Sequence, residues 1–289
     1  MKKVLVIGST CADVIVRTPK IPVSREDVNI ESQSFALGGC AFNVANAMRY
    51  SDGNYLLFSP IGTGIFGEYV AKEISKVGLN REELLAEEPN GSCYCIVEPN
   101  GERSFLCEHG AEYWFKPEWF DRVKLEEFDA AYCCGLEIEE KQAVHILDFL
   151  ERAGLQVYFA PGPRMHSISK EKMDRLLALK PIFHMNRDEV CYYTSEDDFE
   201  EACKKFVEMI GNDAIITDGA RGSYYWYKDG SYEFAPGEKA KVVDTIGAGD
   251  FHIGTFLACQ TKGFDIKESL KMANHVSAKV VSHAGANPE

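Results

Sequence analysis

The chain has 289 residues, of which 45% are hydrophobic and 26% charged, a profile typical of a globular protein with a buried core. Lysine and arginine number 31 against 45 aspartates and glutamates, so the formal net charge is −14. That charge argues against a general binder of nucleic acid or anionic membrane, whose surface would be basic. A small anionic ligand remains compatible with it, because one pocket can be positive in a negative protein.

The sequence carries no signal of a membrane span or of secretion. No run of about 18 apolar residues occurs, so no membrane-spanning helix is expected. Residues 1–8 hold two lysines and a short apolar run, which predicts a first β-strand rather than a signal peptide. The 10 cysteines form neither a C-x-x-C pair nor a zinc-binding pattern. We therefore expect free thiols and a cytoplasmic location, where the medium is reducing.

Strand and helix patterns alternate along the chain. This predicts an α/β fold with a doubly wound, mostly parallel sheet and helices on both faces. Helical segments are recognised by apolar residues at intervals of three and four. In chain order, the predicted strands are 3–8, 55–61, 130–134, 156–160, 182–185 and 214–217, and the clearest helices cover 143–150, 199–210 and 266–280.

Two pairs of strands interrupt this alternation. Residues 14–18 and 28–35 have no helix between them, and residues 92–98 and 103–108 flank an Asn-Gly turn. They predict a small antiparallel sheet set apart from the main one. A late hairpin around Asp229-Gly230 is expected at an edge of the main sheet.

A glycine-rich turn between a strand and a helix is the sharpest motif. It runs Asp244-Thr245-Ile246-Gly247-Ala248-Gly249-Asp250. Small residues let backbone N–H groups approach a ligand, and a helix N-terminus adds partial positive charge, so the turn predicts a cradle for an anion. An aspartate there would repel an anion, but it suits a base that takes a proton from a hydroxyl attacking a phosphoryl group. The structural alternative makes Asp250 a helix N-cap or first-turn acid.

A second glycine-rich segment, Gly38-Gly39, opens a predicted helix with Asn43 and Asn46 in its first turns. Asparagine is a mediocre helix former, so its presence there indicates a polar ligand or a cap. Ordinary capping behind a glycine-rich loop is the alternative.

Two further motifs follow predicted strands, at the edge where α/β sheets bind ligands. Asn186 and Glu189 are spaced to hold a hydrated Mg²⁺, although Asn-x-x-Glu is also a capping pattern at a helix start. The turn from Thr217 to Gly222 indicates either a close approach to a nucleotide or a tight turn.

One motif points elsewhere. Residues 62–67 fit the dinucleotide fingerprint G-x-G-x-x-G after a predicted strand. The following segment, 80–85, does not resemble a second parallel strand ending in an acid that could hold a ribose, so a nicotinamide or flavin role is disfavoured. A Walker A motif is absent from the sequence.

These residues, taken together, resemble the ribokinase-like (PfkB) carbohydrate kinases. The segment from Gly38 through Asn43 resembles the first family signature, and the segment 244–250 resembles the second, which is the more specific. The other matches, in the expected order along nearly the whole chain, are Asp13, Asn186, Glu189 and the turn at 217–222.

The resemblance implies one doubly wound α/β domain over residues 1–289, with a small β-sheet lid from about 12–36 and 92–109. It implies transfer of the γ-phosphoryl group of ATP to a hydroxyl of a sugar or nucleoside, with Mg²⁺ and often a monovalent cation such as K⁺. Lid sheets in this family often pair between subunits, which makes a homodimer through the lid an expectation as well.

Residue roles carried over by position complete this picture. Asp250 is implied to be the catalytic base, and the N–H groups of Gly247, Ala248 and Gly249 would stabilise charge on the phosphoryl group. The implied substrate contacts are Asp13, Gly39, Asn43 and Arg103. The implied nucleotide site comprises Asn186, Thr217, Gly219, Gly222 and Asn274. Glu189, with Asn186, would position Mg²⁺ through water, and Asp244 and Ile246 would belong to a monovalent-cation loop.

The chain departs from the family pattern in three places. The segment Phe251-His252-Ile253-Gly254-Thr255 follows Asp250 where the family usually has small residues and a glycine pair. Gly64 stands in place of a family aspartate, and Ala160 replaces the aspartate of an Asp-Pro-x-x-Arg element. His252 is expected to be a helix-face histidine without a ligand, with a phosphate contact as the alternative.

The sequence therefore predicts an ATP-dependent kinase for a small sugar. A nucleoside kinase of the same fold is the alternative, which a wider or more apolar pocket would favour. A non-catalytic relative that binds sugar and ATP is a further alternative, against which the intact Gly-Ala-Gly-Asp segment argues. No nucleic-acid or membrane partner is expected.

Overall fold

The computed structural model describes residues 1–283, so the last six residues of the expected domain lie outside it. In chain order the strands are β1 (Val4–Ile7), β2 (Cys11–Arg17), β3 (Ser32–Gly38), β4 (Tyr55–Phe58), β5 (Pro60–Thr63), β6 (Leu84–Pro89), β7 (Ser92–Val97), β8 (Arg103–Glu108), β9 (Ala130–Cys134), β10 (Gln156–Ala160), β11 (Ile182–Asn186), β12 (Ala214–Thr217), β13 (Gly222–Trp226) and β14 (Tyr232–Pro236). The helices are α1 (Cys40–Tyr50), α2 (Gly64–Val77), α3 (Gly135–Glu139), α4 (Ala143–Ala153), α5 (Lys170–Ala178), α6 (Arg187–Thr194), α7 (Phe199–Ile210), α8 (Ala248–Thr261) and α9 (Ile266–Val280).

Eight strands form the main sheet, in the order β14-β13-β12-β11-β10-β9-β1-β4. All neighbouring pairs are parallel except those of the terminal hairpin, in which β13 runs antiparallel to both β12 and β14. The predicted doubly wound, mostly parallel α/β fold is confirmed, as is the position of the late hairpin at the sheet edge.

Both faces of the main sheet are covered, which explains why its strands are apolar throughout. Alternate residues of a strand point to opposite faces. Leu5 and Ile7 of β1 belong to one buried core with residues of α4 and α7, whereas Val4 and Val6 belong to a second core with residues of α1, α8 and α9. Two helical layers therefore enclose the sheet.

A second sheet of four strands, here called the small sheet, has the order β3-β2-β7-β8. Each of its two hairpins is antiparallel, as predicted, but the central pair β2 and β7 is parallel, so the expectation of a purely antiparallel sheet is wrong. The reason is topological. The first strand of each hairpin runs in the same direction, and these two first strands lie side by side.

Residues 62–67, which match the dinucleotide fingerprint, lie at the junction of β5 and α2, where their glycines allow close packing. A Cβ on Gly67 would lie 2.2 Å from the carbonyl oxygen of Gly62, so a side chain there would block the start of the helix. Contrary to expectation, a parallel strand does follow, at β6, where it pairs with β5. This pair stands outside the main sheet, where a dinucleotide fold would need it inside.

Within residues 1–283, no helix is long and apolar enough to cross a membrane.

Candidate active site

Two cavities lie beside the glycine-rich turn that precedes α8. The first, here called the strand-end cavity, has a volume of about 200 Å³ and is lined by Cys40, Tyr132, Cys134, Leu136, Ala160, Pro161, Gly162, His184, Asn186, Glu189, Thr217, Gly249 and Asp250. The second, here called the small-sheet cavity, has a volume of about 340 Å³ and is lined by Asp13, Ile15, Arg17, Ser34, Phe35, Ala36, Leu37, Cys95, Val97, Arg103, Phe105, Asp244 and Ile246. The first is built largely from carboxyl ends of main-sheet strands, which is where α/β folds bind ligands.

Close packing of α1 against α8 brings Asn43 to Asp250. A Cβ on Gly254 would lie 2.6 Å from both the Cβ of Ala47 and the carbonyl oxygen of Val44, so only glycine allows this approach. Asn43 Nδ2 donates a hydrogen bond of 2.9 Å to Asp250 Oδ2. Asn43 Oδ1 is buried and has no hydrogen-bond partner among the described residues, which leaves one acceptor available for a ligand hydroxyl.

The carboxyl group of Asp250 is electrostatically tuned by its surroundings. Burial raises its pKa to about 7, the hydrogen bond from Asn43 opposes that rise, and the nearby carboxyls of Glu137 and Asp13 add to it. Gly247, with a φ of 74°, occupies the N-cap position of α8, and Asp250 lies in the first turn. Asp250 is thus a first-turn acid of α8, as the structural alternative expected. It also lines the strand-end cavity, so its place in the helix is compatible with a role as a base.

The start of α8 presents backbone donors beside Asp250. The N–H of Ala248 donates weakly, at 3.3 Å, to the carbonyl of Thr245, and Gly249 lines the strand-end cavity. A Cβ on Gly249 would meet nothing closer than His184, 4.0 Å away. The cradle expected from Gly247, Ala248 and Gly249 thus lies at a helix N-terminus next to a cavity, where partial positive charge accumulates.

Asp13 lies on β2 and lines the small-sheet cavity. Burial raises its pKa to about 6, and a hydrogen bond from Cys11 partly offsets this. The glycine pair is required beside it. A Cβ on Gly38 would lie 2.1 Å from Asp13 Oδ2, and Gly39 has a φ of 99° with Ser9 O 2.4 Å from its hypothetical Cβ. The pair therefore lets the end of β3 pass close to Asp13 before α1 begins.

Arg103 and Asp244 form an ion pair that joins the small sheet to the turn before α8. Arg103 Nη1 donates to Asp244 Oδ1, which also accepts a hydrogen bond of 2.8 Å from the N–H of Ile246. The family resemblance implies a substrate contact for Arg103 and a monovalent-cation loop for Asp244 and Ile246. Asp244 Oδ1 is thus occupied by the guanidinium and the N–H of Ile246, and the monovalent-cation loop expected at Asp244 and Ile246 stays a prediction.

Asn186 and Glu189 form a capping box at the start of α6. Asn186 Oδ1 accepts from the N–H of Glu189 at 2.8 Å, and Glu189 Oε2 accepts from the N–H of Asn186 at 2.9 Å. The capping alternative is therefore realised. Both side chains also line the strand-end cavity, and burial raises the pKa of Glu189. A desolvated carboxylate at a cavity wall suits a hydrated Mg²⁺, which keeps its waters and needs few protein oxygens.

The residues expected around a nucleotide fall into two groups. Thr217 lines the strand-end cavity, and Gly219 and Gly222, with φ of 53° and 129°, shape the turn that follows it. Asn274 does not reach either cavity lining. It is buried, and its amide donates to the carbonyls of Ala235 and Pro236 at 3.0 and 3.2 Å.

A buried pair of histidines was missed by sequence reasoning. His184 Nε2 lies 3.0 Å from His252 Nδ1, and His252 Nε2 lies 3.2 Å from Asn274 Oδ1. Because the Asn274 amide nitrogen donates to carbonyls, its oxygen accepts from His252, and His252 Nδ1 then accepts from His184. Burial lowers the pKa of both histidines, so they are neutral. His252 thus has protein partners, whereas His184 lines the strand-end cavity.

Comparison with known proteins places this geometry in a family. The model of the pfkB family of carbohydrate kinases matches residues 1–289. Among curated proteins, an uncharacterized sugar kinase YegV of Escherichia coli is 29% identical over 99% of this chain and 90% of its own length. A deoxyribokinase of Salmonella typhi is 26% identical over 98% of this chain and 93% of its own length.

Solved structures share the fold at low identity. The ribokinase of Giardia lamblia has a TM-score of 0.86 at 20% identity and covers 99% of this chain and 96% of its own. The nucleoside kinase of Methanocaldococcus jannaschii has a TM-score of 0.79 at 20% identity, with coverage of 99% and 93%. With the signature turns of both glycine-rich segments in place and a family match over its full length, the chain belongs to the pfkB family of carbohydrate kinases.

Proposed function

We propose that the protein transfers the γ-phosphoryl group of ATP to a hydroxyl of a small sugar, with Asp250 as the general base. The observation that carries this proposal is the pairing of Asp250 with Asn43 at the N-terminus of α8. A carboxyl group with a pKa of about 7 accepts a proton efficiently near neutral pH.

The proposed reaction begins with Asp250 taking the proton of the attacking hydroxyl. The N–H groups of Gly247, Ala248 and Gly249 would face the phosphoryl oxygens and stabilise their negative charge, aided by the helix N-terminus. In this arrangement the base and the anion cradle belong to the same helix turn, so attacker, phosphate and base meet at one place.

The proposed sugar contacts come from the glycine-rich segment at 38–43 and from the small sheet. Asn43 Oδ1, buried without a partner in the described chain, would accept a hydrogen bond from a sugar hydroxyl. Asp13, which lines the small-sheet cavity, would accept a hydrogen bond from another sugar hydroxyl. The backbone at Gly39 would border the sugar. The small sheet, from about 12–36 and 92–109, would serve as a lid that excludes water. Arg103 lines the same cavity while its Nη1 is paired with Asp244, so its other N–H groups would contact the sugar.

The proposed nucleotide site lies along the strand-end cavity. Thr217, Gly219 and Gly222 would border ATP, and Asn186 with Glu189 would hold Mg²⁺ through water. When bound, Mg²⁺ would neutralise charge on the phosphates. Asn274 is left out of this site because its amide is bonded to backbone carbonyls and a histidine.

A nucleoside kinase is the second candidate, and the small-sheet cavity favours it. Apolar side chains make up most of its lining, including Phe105, which is 53% exposed. A nucleobase would stack on such a surface, as aromatic rings do. Relatives and neighbours of both kinds, deoxyribokinase and nucleoside kinase, share the family or the fold.

The test is an ADP-release assay over a panel of sugars and nucleosides with the native protein and Asp250→Asn. We expect turnover with a sugar and its loss by several orders of magnitude in the variant, because the amide cannot accept the proton. Asp265→Asn is the matched control, since Asp265 is the N-cap of α9 and lines neither cavity. Near-native turnover of Asp250→Asn would remove Asp250 from the base role. Binding of ATP and sugar without ADP release would favour the non-catalytic alternative.

The proposal extends to location and assembly. All 10 cysteines are free, which suits a reducing cytoplasm. Strand β8 is an unpaired edge of the small sheet and exposes Leu106 to 63%. An exposed apolar edge strand needs cover, and we propose that a second copy of the chain supplies it.

A further inference from the structure

Cys93 and Cys107 face each other across the small sheet. They are register partners on the antiparallel strands β7 and β8, and their Sγ atoms lie 3.3 Å apart. Asp13 on β2 is the register partner of Cys93, so Asp13, Cys93 and Cys107 form one row across three strands. The two thiols thus lie in the same row as the carboxylate proposed to hold the sugar.

The backbone already has the spacing that a disulfide needs. Directly opposed residues of antiparallel strands have Cα atoms about 4.5 or 5.5 Å apart, and both values fall within the disulfide range of about 4.4–6.8 Å. The sulfur atoms need to approach by only about 1 Å to reach bonding distance. Side-chain rotation is sufficient for this, without a change of register.

The pKa values of the two thiols shift in opposite directions, which distinguishes the thiol that reacts first from its partner. The hydrogen bond with Cys93, together with the nearby His109 and Arg164, lowers the pKa of Cys107 to about 6. The same interaction raises the pKa of Cys93, as do its burial and the neighbouring Asp13. Cys107 is also the exposed member of the pair in the single chain, and it faces the opposite side of β8 from its neighbour Leu106. It is therefore the thiolate that meets an oxidant first.

We propose that Cys93 and Cys107 are a modification site that a peroxide oxidises to a cross-strand disulfide, and that this bond weakens sugar binding at Asp13. The Cys107 thiolate attacks a peroxide oxygen, which breaks the O–O bond, releases hydroxide and leaves a sulfenic acid. Cys93 then attacks that sulfur and its thiol loses a proton, so the S–S bond forms and water leaves. For hydrogen peroxide the balance is two thiols and one peroxide to one disulfide and two waters.

The consequence for sugar binding follows from the shared row and rests on the proposed function. Closing the bond rotates the Cys93 side chain toward β8 and moves its sulfur by up to about 1 Å, so the sulfur leaves its present place in the row that Cys93 shares with Asp13. Charge-assisted hydrogen bonds depend on distances of a few tenths of an ångström, so an Asp13 carboxyl that repacks against the moved sulfur loses affinity for a hydroxyl. The nucleotide groups line the other cavity. We expect a several-fold higher KM for the sugar and a KM for ATP within about twofold.

The linkage is tested by peptide mapping of the full-length protein after peroxide treatment. Trypsin separates residues 82–103, which hold Cys93 and Cys95, from residues 104–122, which hold Cys107. We expect these two peptides to be joined, at two hydrogen masses below their sum, and separated by dithiothreitol. The link should persist in Cys95→Ser and disappear in Cys93→Ser, where Cys107 should instead become reactive toward dimedone. Absence of the link in Cys95→Ser would overturn the site.

The functional half is tested on the same samples by ADP release. Peroxide should raise the sugar KM of the native protein reversibly and leave that of Cys93→Ser unchanged. A cross-linked protein with an unaltered sugar KM would overturn the effect on binding. If the reduced protein phosphorylates no compound of the panel, the proposed function fails and the effect on binding fails with it, whereas the mapped disulfide would still stand.

Discussion

The properties of Asp250 depend on residues that are far away in the sequence. Its position in a Gly-Ala-Gly-Asp segment is enough to suggest a base beside an anion cradle. Its pKa of about 7 is set by burial and by Asn43, Glu137 and Asp13, which come from three other parts of the chain. No local pattern contains that information, because burial and charge proximity arise only when the chain is folded.

Removing the hydrogen bond to Asp250 should shift the pH dependence of activity. The base works ionised, so kcat/KM should fall tenfold per pH unit below a pKa of about 7 and level off above it. Asn43 stabilises the ionised form, and Asn43→Ala should therefore move this acid limb upward by about one pH unit. The measurement is the kcat/KM profile between pH 5 and about 9.

The control for this shift is Asn46→Ala. Asn46 lies on the same helix and accepts from Arg49, at 3.1 Å in its closer hydrogen bond. The acid limb of the kcat/KM profile of Asn46→Ala should match that of the native protein. An unshifted limb in Asn43→Ala would show that Asn43 does not set the protonation of the base.

Individual elements are largely predictable, whereas the contacts between them are not. The helices Phe199–Ile210 and Ile266–Val280 coincide with their apolar stripes, because burial of one face fixes their extent. The Arg103–Asp244 ion pair joins elements 141 positions apart, and neither residue's neighbours indicate it. Sequence reasoning assigned the two residues to different ligands, whereas the structure pairs them.

A double-mutant cycle tests the contribution of this ion pair. Arg103→Met leaves the buried Asp244 carboxylate without its guanidinium, and it should lower the free energy of unfolding by about 3–5 kcal/mol. Adding Asp244→Asn should restore part of that loss, because the uncompensated charge is removed. Urea unfolding of all four proteins gives the coupling free energy. Strictly additive effects would show that the pair contributes nothing to the joint between the small sheet and the turn.

The main sheet and the small sheet differ in how they are covered. The main sheet has helices on both faces, whereas the small sheet ends at the exposed strand β8. Tyr94 and Leu106 are register partners and are 40% and 63% exposed, which places apolar surface next to an open edge. Such an edge is a template for pairing with another chain.

Self-association through the small sheet is tested by a charge at its edge. We expect the native protein to sediment as a dimer and Leu106→Glu as a monomer, because a desolvated carboxylate opposes burial of the edge. Leu85→Glu is the matched control. Leu85 is 72% exposed on β6, outside the small sheet, and its substitution should leave the dimer intact. A native monomer at all accessible concentrations would exclude this mode of pairing.

The sequence by itself determined the α/β class, the strands of the main sheet and the likeness to the carbohydrate kinases. These features follow from local patterns, because the spacing of apolar residues and the glycine-rich turns are properties of residues that are close in the sequence. Tertiary structure decided which residues meet. It paired Arg103 with Asp244, turned Asn274 toward carbonyls and His252, set Cys93 opposite Cys107 and ran two strands of the small sheet parallel. Such contacts depend on packing between distant segments, which composition and spacing along the chain do not specify.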